Sequence, residues 1–322
     1  MPMKKLIAIL VLVTLAFGAK SQIITASTNA ISASWHTTAN YIYSVFRYPA
    51  GCSDPACENL FILSSPNSSG PWTLVQSCYI PPSGHNVRDP SATKIGSTWW
   101  LVYTAVTDGA FATGPAFDLA YSSDGVCYTF LQSVDTTSIV GNGANAATWA
   151  PEWFIDSDFS VHVFFSGSTN SVSSPFSVYE LHPTTTLTPG VVPTWSSITG
   201  ITGTSLPANY YDPYVIKIGS TYNLFYTKND ANHYVEYMSS ASLTSGYTVT
   251  GSGDWAGWGM GWEGACVIAL ASGGYHISFD HSLVSAGLYS SFSAGNLTGP
   301  WAAPSLMTVP FVSQHGTILS LH

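Results

Sequence analysis

The sequence predicts an all-β protein, a five-bladed β-propeller whose ring is closed by strands from the N-terminal and C-terminal parts of the chain. Three observations lead to this prediction. Short apolar runs of strand character recur along the chain, a longer unit recurs four times, and the two ends supply the pieces of a fifth unit.

The strand character is seen in short runs rich in β-branched and aromatic residues, such as YIYSVFRY (41–48), WWLVYTAV (99–106), VHVFFSG (161–167) and YNLFYTK (222–228). Clusters of Gly, Ser, Asn, Asp and Pro separate these runs, as expected for strands joined by turns. Few windows show the 3.6-residue period of an amphipathic helix. Two all-β architectures fit, a sandwich and a propeller.

A repeated unit favours the propeller. NVRDPSATKIGSTWWLVYT (86–104) and NYYDPYVIKIGSTYNLFYT (209–227) share Asn-x-x-Asp-Pro, Lys-Ile-Gly-Ser-Thr and Leu-x-Tyr-Thr at the same offsets. Weaker copies occupy 148–167 and 262–280. The units start near 89, 150, 212 and 263, at intervals of 61, 62 and 51 residues. Each interval fits one four-stranded blade with a long loop.

The fifth blade is expected to combine both ends of the chain. HGTILSL (315–321) resembles an inner strand with nothing after it, and residues 34–78 resemble outer strands with no inner strand before them. Joining them closes the ring and removes the unpaired edges that an open sheet would expose.

The first 21 residues have the pattern of a secretory signal peptide, with two lysines, an apolar run and small residues at Ala19 and Ser21. A transmembrane anchor is the alternative, but the apolar run of 14 residues is shorter than the roughly 20 needed to span a bilayer. We expect a secreted or periplasmic protein in which residues 22–322 form a single domain.

The charge balance limits the partners. Eight Lys and Arg residues stand against seventeen Asp and Glu, the net charge is −9, and no basic cluster follows the first residues. A nucleic acid or an anionic membrane is therefore not an expected partner. We expect a neutral substrate.

Five cysteines follow the apolar run, and an oxidising compartment permits disulfides between them. The short CSDPAC loop favours a bond between Cys52 and Cys57, and the alternative joins one of these two to Cys78. An odd number leaves at least one thiol free or paired between chains. We expect the free one to be a buried Cys266.

Carboxylates stand at three predicted inner-strand starts, at Asp89, Asp212 and Glu263. Inner strands of a propeller converge on one mouth of the central channel, so these groups should share a cavity. That grouping costs charge repulsion and desolvation. Asp-Pro alone is also ordinary turn chemistry, but Glu is a poor turn residue. Trp262, next to Glu263, would lower the local polarity, which suits a proton donor.

Glycosidic bond hydrolysis needs such a set. One carboxyl must be protonated to donate to the departing oxygen, and another must be ionised to activate water or attack the sugar. A third can orient the acid. Three carboxyls at one mouth therefore predict a glycoside hydrolase.

One segment from each predicted blade strengthens this prediction, in the order NVRDPSATKIGSTWWLVYT, ATWAPEWF, YYDPYVIKIGSTYNLFYT, WEGACVIA and QHGTILSL. The ordered set resembles glycoside hydrolase family 43, the five-bladed arabinanases, arabinofuranosidases and β-xylosidases. The resemblance implies an inverting hydrolase with Asp89 as general base, Asp212 as the group that orients the acid and modulates its pKa, and Glu263 as general acid. Families 62, 117 and 32 share the fold, and family 32 retains configuration.

The same resemblance puts His315 where family members have a channel histidine that binds water or a calcium ion, with no other cofactor required. Substrate-binding candidates near the blade starts are Trp149, Trp262, Glu152, Tyr211 and Asn86. Aromatic rings can pack on the apolar faces of sugars, although blade-to-blade packing also needs aromatics.

The expected function is a secreted, monomeric hydrolase of α-L-arabinofuranosyl or β-D-xylosyl linkages in plant polysaccharides or oligosaccharides. Two alternatives stay open. One is a non-catalytic, lectin-like propeller that binds carbohydrate, and the other is a related propeller glycosidase with a different sugar specificity.

Overall fold

The computed structural model describes residues 39–47, 58–76, 78–106, 114–141, 146–169, 172–173, 175–281 and 287–321. The predicted signal peptide and the predicted pair of Cys52 and Cys57 lie outside these ranges. No helix in the described part of the chain is both long and apolar enough to cross a membrane.

Five antiparallel sheets form the blades of a propeller. Blade 1 contains β4 (Asn86–Ile95), β5 (Thr98–Val106), β6 (Ala116–Ser122) and β7 (Thr129–Asp135). Blade 2 contains β8 (Ala147–Ile155), β9 (Val161–Ser168), β10 (Phe176–Leu181) and β11 (Thr199–Gly200). A short helix, α1 (Thr137–Val140), lies between these two blades.

Blade 3 contains β13 (Tyr210–Ile218), β14 (Thr221–Lys228), β15 (Val235–Ser240) and β16 (Tyr247–Gly251), with β12 (Gly203–Thr204) added in parallel at its outer edge. Blade 4 contains β17 (Trp262–Ala269), β18 (Tyr275–His281), β19 (Leu288–Ser293) and β20 (Ser305–Leu306). Blade 5 contains β1 (Tyr41–Arg47), β2 (Leu60–Ser65), β3 (Thr73–Gln76) and β21 (Ser313–Ser320).

Ring closure takes place in blade 5, where the sheet order is β21, β1, β2, β3. The last strand pairs antiparallel with the first, from Tyr41 opposite Ser320 to Arg47 opposite Ser313. The prediction of a fifth blade built from both ends is confirmed. Pairing the chain ends in one sheet also covers a strand edge that would otherwise stay open.

The core is divided among the interfaces between neighbouring blades. Five apolar clusters of described residues each join one blade to the next around the ring. Between blades 3 and 4, for example, Phe225 and Tyr237 pack with Trp262 and Phe279. Aromatic side chains are favoured at these interfaces because one of them can span the gap between two facing sheets and bury a large apolar area.

One disulfide of the described residues joins Cys78 to Cys127. It links the segment after β3 to the turn before β7, and so connects blade 5 to blade 1. The alternative pairing of Cys78 with Cys52 or Cys57 is therefore wrong, because the fold brings Cys127 to Cys78 from 49 residues away. Cys266 is a free, buried cysteine, as predicted.

Candidate active site

The five inner strands share a local distortion at the same end of the channel. Each strand shifts register against its neighbour, and at the shift one residue has a positive φ. These residues are Asp89 (47°), Ala150 (48°), Asp212 (55°), Gly264 (65°) and His315 (28°). A bulge re-aims the side chains around it, so the distortion sets which atoms face the channel mouth.

This alignment corrects one detail of the repeat. Gly264, not Glu263, occupies the bulge position that Asp89 and Asp212 occupy in their blades. Glu263 is one residue earlier, which is the position of Arg88 in blade 1 and Gln314 in blade 5. Its carboxylate therefore approaches the cavity from a different strand position than the two aspartates.

A cavity of about 330 Å³ opens at this mouth. All five residues that precede the bulges line it, namely Arg88, Trp149, Tyr211, Glu263 and Gln314. Asp89, Asp212 and His315 line it as well. The structure thus brings together the three predicted catalytic carboxyls, which lie on three different blades.

Asp89 is held in a cationic and hydrogen-bonding environment. His315 Nδ1 lies 3.3 Å from its Oδ1, and the Thr104 hydroxyl donates a 2.8 Å hydrogen bond to its Oδ2. Burial raises the pKa of Asp89, but the charge and hydrogen bond of His315 and the Thr104 hydroxyl outweigh it and leave the pKa below its ordinary value. These contacts therefore favour the ionised form of Asp89, as a general base requires.

The pKa of Asp212 is shifted in the opposite direction. Its side chain is only 6% exposed, and its Oδ2 accepts hydrogen bonds from the Gly264 amide at 3.2 Å and the Thr227 hydroxyl at 3.4 Å. Burial raises its pKa to about 7, with His315 opposing the rise and the charges of Glu263 and Asp89 adding to it. The two aspartates on equivalent bulges thus differ in proton affinity because of their surroundings.

Glu263 is reached by two side chains from blade 3. The Tyr211 hydroxyl donates a 2.9 Å hydrogen bond to Glu263 Oε2, and His233 Nδ1 lies 3.8 Å from the same oxygen. Tyr211 OH is also 3.1 Å from His233 Nδ1. The backbone carbonyl of His233 accepts hydrogen bonds from the amides of Gly261 and Trp262, which ties this loop to the start of β17.

A hydroxyl on the second strand supports the bulge of the following blade in three cases. Ala150 donates its amide hydrogen to Thr104 Oγ1, Asp212 to Ser166 Oγ and Gly264 to Thr227 Oγ1, at 2.7, 3.0 and 3.3 Å. Each hydroxyl lies opposite the residue before its own bulge. The bulges are thus fixed by contacts between blades.

Blade 4 departs from this pattern, since Asp280 takes the position of the hydroxyl residue. Asp280 lines the cavity and is 2% exposed, and its Oδ1 has no hydrogen-bond partner among the described residues. Burial and then the charge of Glu263 raise its pKa well above the ordinary value. This fourth carboxyl was not expected. Aligning LVYT, VFFS, LFYT and ISFD from the four second strands would have revealed it.

The other predicted residues are divided between the cavity and the core. Trp149 lines the cavity and stacks on Phe176 with ring centroids 4.5 Å apart. Trp262 does not line it, because neighbouring residues of a strand face opposite sides. Its ring packs on Phe279 and His281 at 4.7 and 4.3 Å. Trp262 thus packs between blades, and its expected influence on Glu263 stays a prediction.

Two polar candidates also lie outside the cavity lining. Asn86 is buried, and its amide donates a 3.3 Å hydrogen bond to Glu58. Glu152 is buried and accepts hydrogen bonds from Ser91 at 2.8 Å and Thr317 at 2.6 Å. Burial raises the pKa of Glu152 to about 7, although these hydroxyls oppose the rise. Glu152 therefore links blades 1, 2 and 5 through the channel.

The donors around His315 fit a paired imidazolium better than a metal ligand. Burial lowers the pKa of His315, but Asp212 and Asp89 raise it well above the ordinary value. Calcium also prefers six to eight oxygen ligands. Among the described residues, the one group of three His, Cys, Asp or Glu residues with converging ligand atoms lies elsewhere. The calcium ion or water near His315 stays a prediction.

The described fold is a five-bladed β-propeller, which is also the fold of a solved family 43 glycoside hydrolase. An endo-1,4-β-xylanase from Bacteroides thetaiotaomicron matches with a TM-score of 0.56 and 14% identity, over 86% of this chain and 92% of that one. A xylan β-1,4-xylosidase from Bacillus halodurans matches with a TM-score of 0.54 and 13% identity, over 86% and 54%. A β-1,3-galactosidase of family 43 matches with a TM-score of 0.54 and 10% identity, over 76% and 54%.

This chain thus spans about half of the xylosidase and galactosidase chains. At these identities the likeness shows the fold. No protein-family model matches the sequence, and no curated protein sequence matches it.

Proposed function

We propose that the protein is a secreted glycoside hydrolase that acts on α-L-arabinofuranosyl or β-D-xylosyl linkages with inversion of configuration. The observation that supports it most is the convergence of Asp89, Asp212 and Glu263 from three blades on one cavity. The solved structures that share the fold are named as hydrolases of xylan or of β-1,3-galactosides, so a galactoside belongs in any substrate test.

In the proposed reaction Asp89 is the general base. Its lowered pKa keeps it ionised, so it can accept a proton from the water that attacks the anomeric carbon. Glu263 is the general acid that gives its proton to the departing oxygen. Tyr211 holds one oxygen of Glu263 and so fixes the direction in which the carboxyl faces the cavity.

Asp212 is proposed to act on the acid and not on the sugar. Its Oδ2 accepts the amide hydrogen of Gly264, the residue next to Glu263. Through this bond it fixes the backbone that carries the acid. With a pKa of about 7, Asp212 also changes the charge next to Glu263 near neutral pH.

The walls of the cavity suit a neutral sugar. Trp149 offers an aromatic ring, while Arg88 and Gln314 offer hydrogen-bond donors. The Arg88 guanidinium forms an ion pair with Glu58, so its positive charge is already balanced. A neutral ligand with several hydroxyl groups matches this lining better than an anionic one does.

Turnover of aryl α-L-arabinofuranoside, β-D-xyloside and β-D-galactoside tests the proposal, together with arabinan and arabinoxylan. Glu263→Gln and Asp89→Asn should each lower kcat by about 10²- to 10⁴-fold, the usual contribution of a general acid or base. Asp135→Asn is the control, because Asp135 is an exposed residue of β7. Proton NMR of the first product should show inversion.

Sugar binding without hydrolysis by the wild type would contradict the enzyme and favour the lectin-like alternative. A retained product configuration would leave a glycosidase but overturn the roles given to Asp89 and Glu263. Calorimetry detects the sugar binding of the first outcome, and proton NMR of the product detects the second.

A further inference from the structure

Two histidines and a glutamate converge in blade 2, away from the cavity. His162 Nδ1 lies 2.7 Å from Glu180 Oε1, and His182 Nδ1 lies 3.0 Å from the same oxygen. The potential ligand atoms of the three residues all lie within 4.8 Å of one another. Both imidazoles thus point at one buried carboxylate oxygen.

Strand geometry explains the convergence. Glu180 and His182 are two residues apart at the end of β10 and so share a face. The register that pairs Val163 with Leu181 places His162 opposite His182. His162 also lies opposite Phe154, five residues beyond the cavity residue Trp149 on β8. At the rise of a strand this places the cluster about 16 Å from the mouth.

Hydrogen bonds around Ser160 determine which nitrogen of His162 carries a hydrogen. The Ser160 hydroxyl donates to Asp158 Oδ1 at 2.6 Å, so its single hydrogen is used there. His162 Nε2, 2.9 Å from Ser160 Oγ, must then be the donor of that contact. In the neutral ring Nδ1 then carries no hydrogen, and its lone pair faces Glu180.

The Nδ1 lone pair and the Glu180 oxygen, 2.7 Å apart, repel each other unless a proton or a metal cation lies between them. A histidine that binds a metal through one ring nitrogen usually donates a hydrogen bond from the other nitrogen. That hydrogen bond selects the tautomer and orients the ring.

The donor set and its dimensions suit zinc. Zinc accepts imidazole nitrogen and carboxylate oxygen at about 2.0–2.2 Å in a tetrahedron, which separates neighbouring ligands by about 3.3 Å. The present separations of 2.7 and 3.0 Å would widen by about 0.6 and 0.3 Å, and the ligand atoms of the two histidines lie within 4.8 Å of each other. The side chain of His182 is 44% exposed, which leaves a path for the ion and a fourth position for water.

We propose that His162, Glu180 and His182 bind a zinc ion that clamps β9 to β10 at the end of blade 2 opposite the cavity. Two strands of one blade would then be cross-linked by three side chains. Since the site lies outside the catalytic cavity, its occupancy should change stability and leave substrate turnover unaffected.

Isothermal titration of the chelator-treated full chain with zinc chloride tests the site. The wild type should bind one zinc ion that His182→Gln does not bind, and Ser160→Ala should weaken binding by about 10-fold through loss of the tautomer-fixing bond. His85→Gln is the matched control, because His85 also pairs with a buried carboxylate, Asp118, at 2.7 Å but belongs to no group of three potential ligands among the described residues. Its titration should equal that of the wild type.

Two further measurements complete the test. Zinc at about a hundred-fold excess over Kd should raise the melting temperature of the wild type by roughly 4 °C and leave that of His182→Gln unchanged. Cobalt bound in place of zinc should give the visible absorption of a four-coordinate ion. Equal zinc titrations for the wild type and His182→Gln would overturn the proposal, whatever the result for hydrolysis.

Discussion

His315 Nδ1 lies 3.3 Å from Asp89 Oδ1, which joins the bulge residues of blades 5 and 1. The same nitrogen is 3.8 Å from Asp212 Oδ2. One imidazolium thus serves two carboxylates on opposite sides of it in the ring. The closing strand therefore contributes a charge to the site as well as completing the sheet.

This contact makes the acid limb of the pH profile a test of the site. The folded-state pKa of Asp89 is depressed, in large part by His315, so Asp89 stays ionised below the ordinary pKa of aspartate. His315→Gln removes that charge while burial remains, so the pKa of Asp89 should rise. We expect the acid limb of kcat/KM to move to higher pH. An unchanged limb, measured on a variant with normal melting behaviour, would contradict the assignment of Asp89 as base.

Asp212 should lower stability near neutral pH. Its folded-state pKa of about 7 lies above the ordinary value near 3.9. The unfolded chain therefore loses this proton first, and the free energy of unfolding falls as pH rises from about 4 to about 7. Asp212→Asn should be more stable than the wild type by about 2 kcal/mol at pH 7.5 and by much less at pH 4.

Denaturant unfolding at the two pH values measures this difference. Asp135→Asn, an exposed aspartate on β7, controls for the loss of one negative charge. A stability difference for Asp212→Asn that is the same at both pH values would show that the buried carboxyl does not titrate as described. Loss of turnover in the more stable variant would place Asp212 among residues kept for function at a cost in stability.

We expect the Tyr211 hydroxyl to affect turnover through its hydrogen bond to Glu263. It donates a 2.9 Å hydrogen bond to Glu263 Oε2, and this bond fixes the orientation of the carboxyl group. Tyr211→Phe should lower kcat by about 10- to 100-fold with little change in KM, because it leaves the ring in place.

The adjacent Tyr210 provides the matched control. It is buried and packs on Tyr226 with ring centroids 5.2 Å apart, and it does not line the cavity. Tyr210→Phe should leave kcat within about two-fold of the wild type. Equal losses in the two variants would contradict a specific role of the Tyr211 hydroxyl at Glu263.

The repeat made much of the fold predictable. Blade starts read near 89, 150 and 212 coincide with the positive-φ residues of β4, β8 and β13, because the bulge and its Asp-Pro or Ala-Pro sequence recur together. The closing strand was predictable for a physical reason, since an inner strand without outer partners at one end of a chain requires them at the other.

Other features depend on contacts that periodicity does not encode. The Cys78–Cys127 disulfide spans two blades, and the spacing of these two cysteines in the sequence does not show that the ring brings them together. His233 reaches Glu263 from an irregular loop held by hydrogen bonds of its carbonyl. Trp262 does not line the cavity, because residues adjacent on a strand face opposite sides.

Gly264 should be the least replaceable of the bulge residues. It has a φ of 65°, and a Cβ built there would lie 2.9 Å from Asp280 Oδ1 and 2.9 Å from His315 Cγ. Backbone strain and steric conflict therefore act together in Gly264→Ala. Its unfolding free energy should fall by about 2–5 kcal/mol, and turnover should fall with it because Asp280 and His315 are displaced.

A matched substitution at Gly219 separates backbone strain from steric conflict. It has a φ of 59° in the turn between β13 and β14, and a Cβ there meets no atom within 4 Å. Gly219→Ala should therefore cost only the left-handed strain of about 1–2 kcal/mol and keep full turnover. Paired chemical unfolding and kinetics of the two variants measure the difference. If Gly264→Ala lost no more stability than Gly219→Ala and kept its activity, the close packing of Asp280, Gly264 and His315 would not be needed for the site.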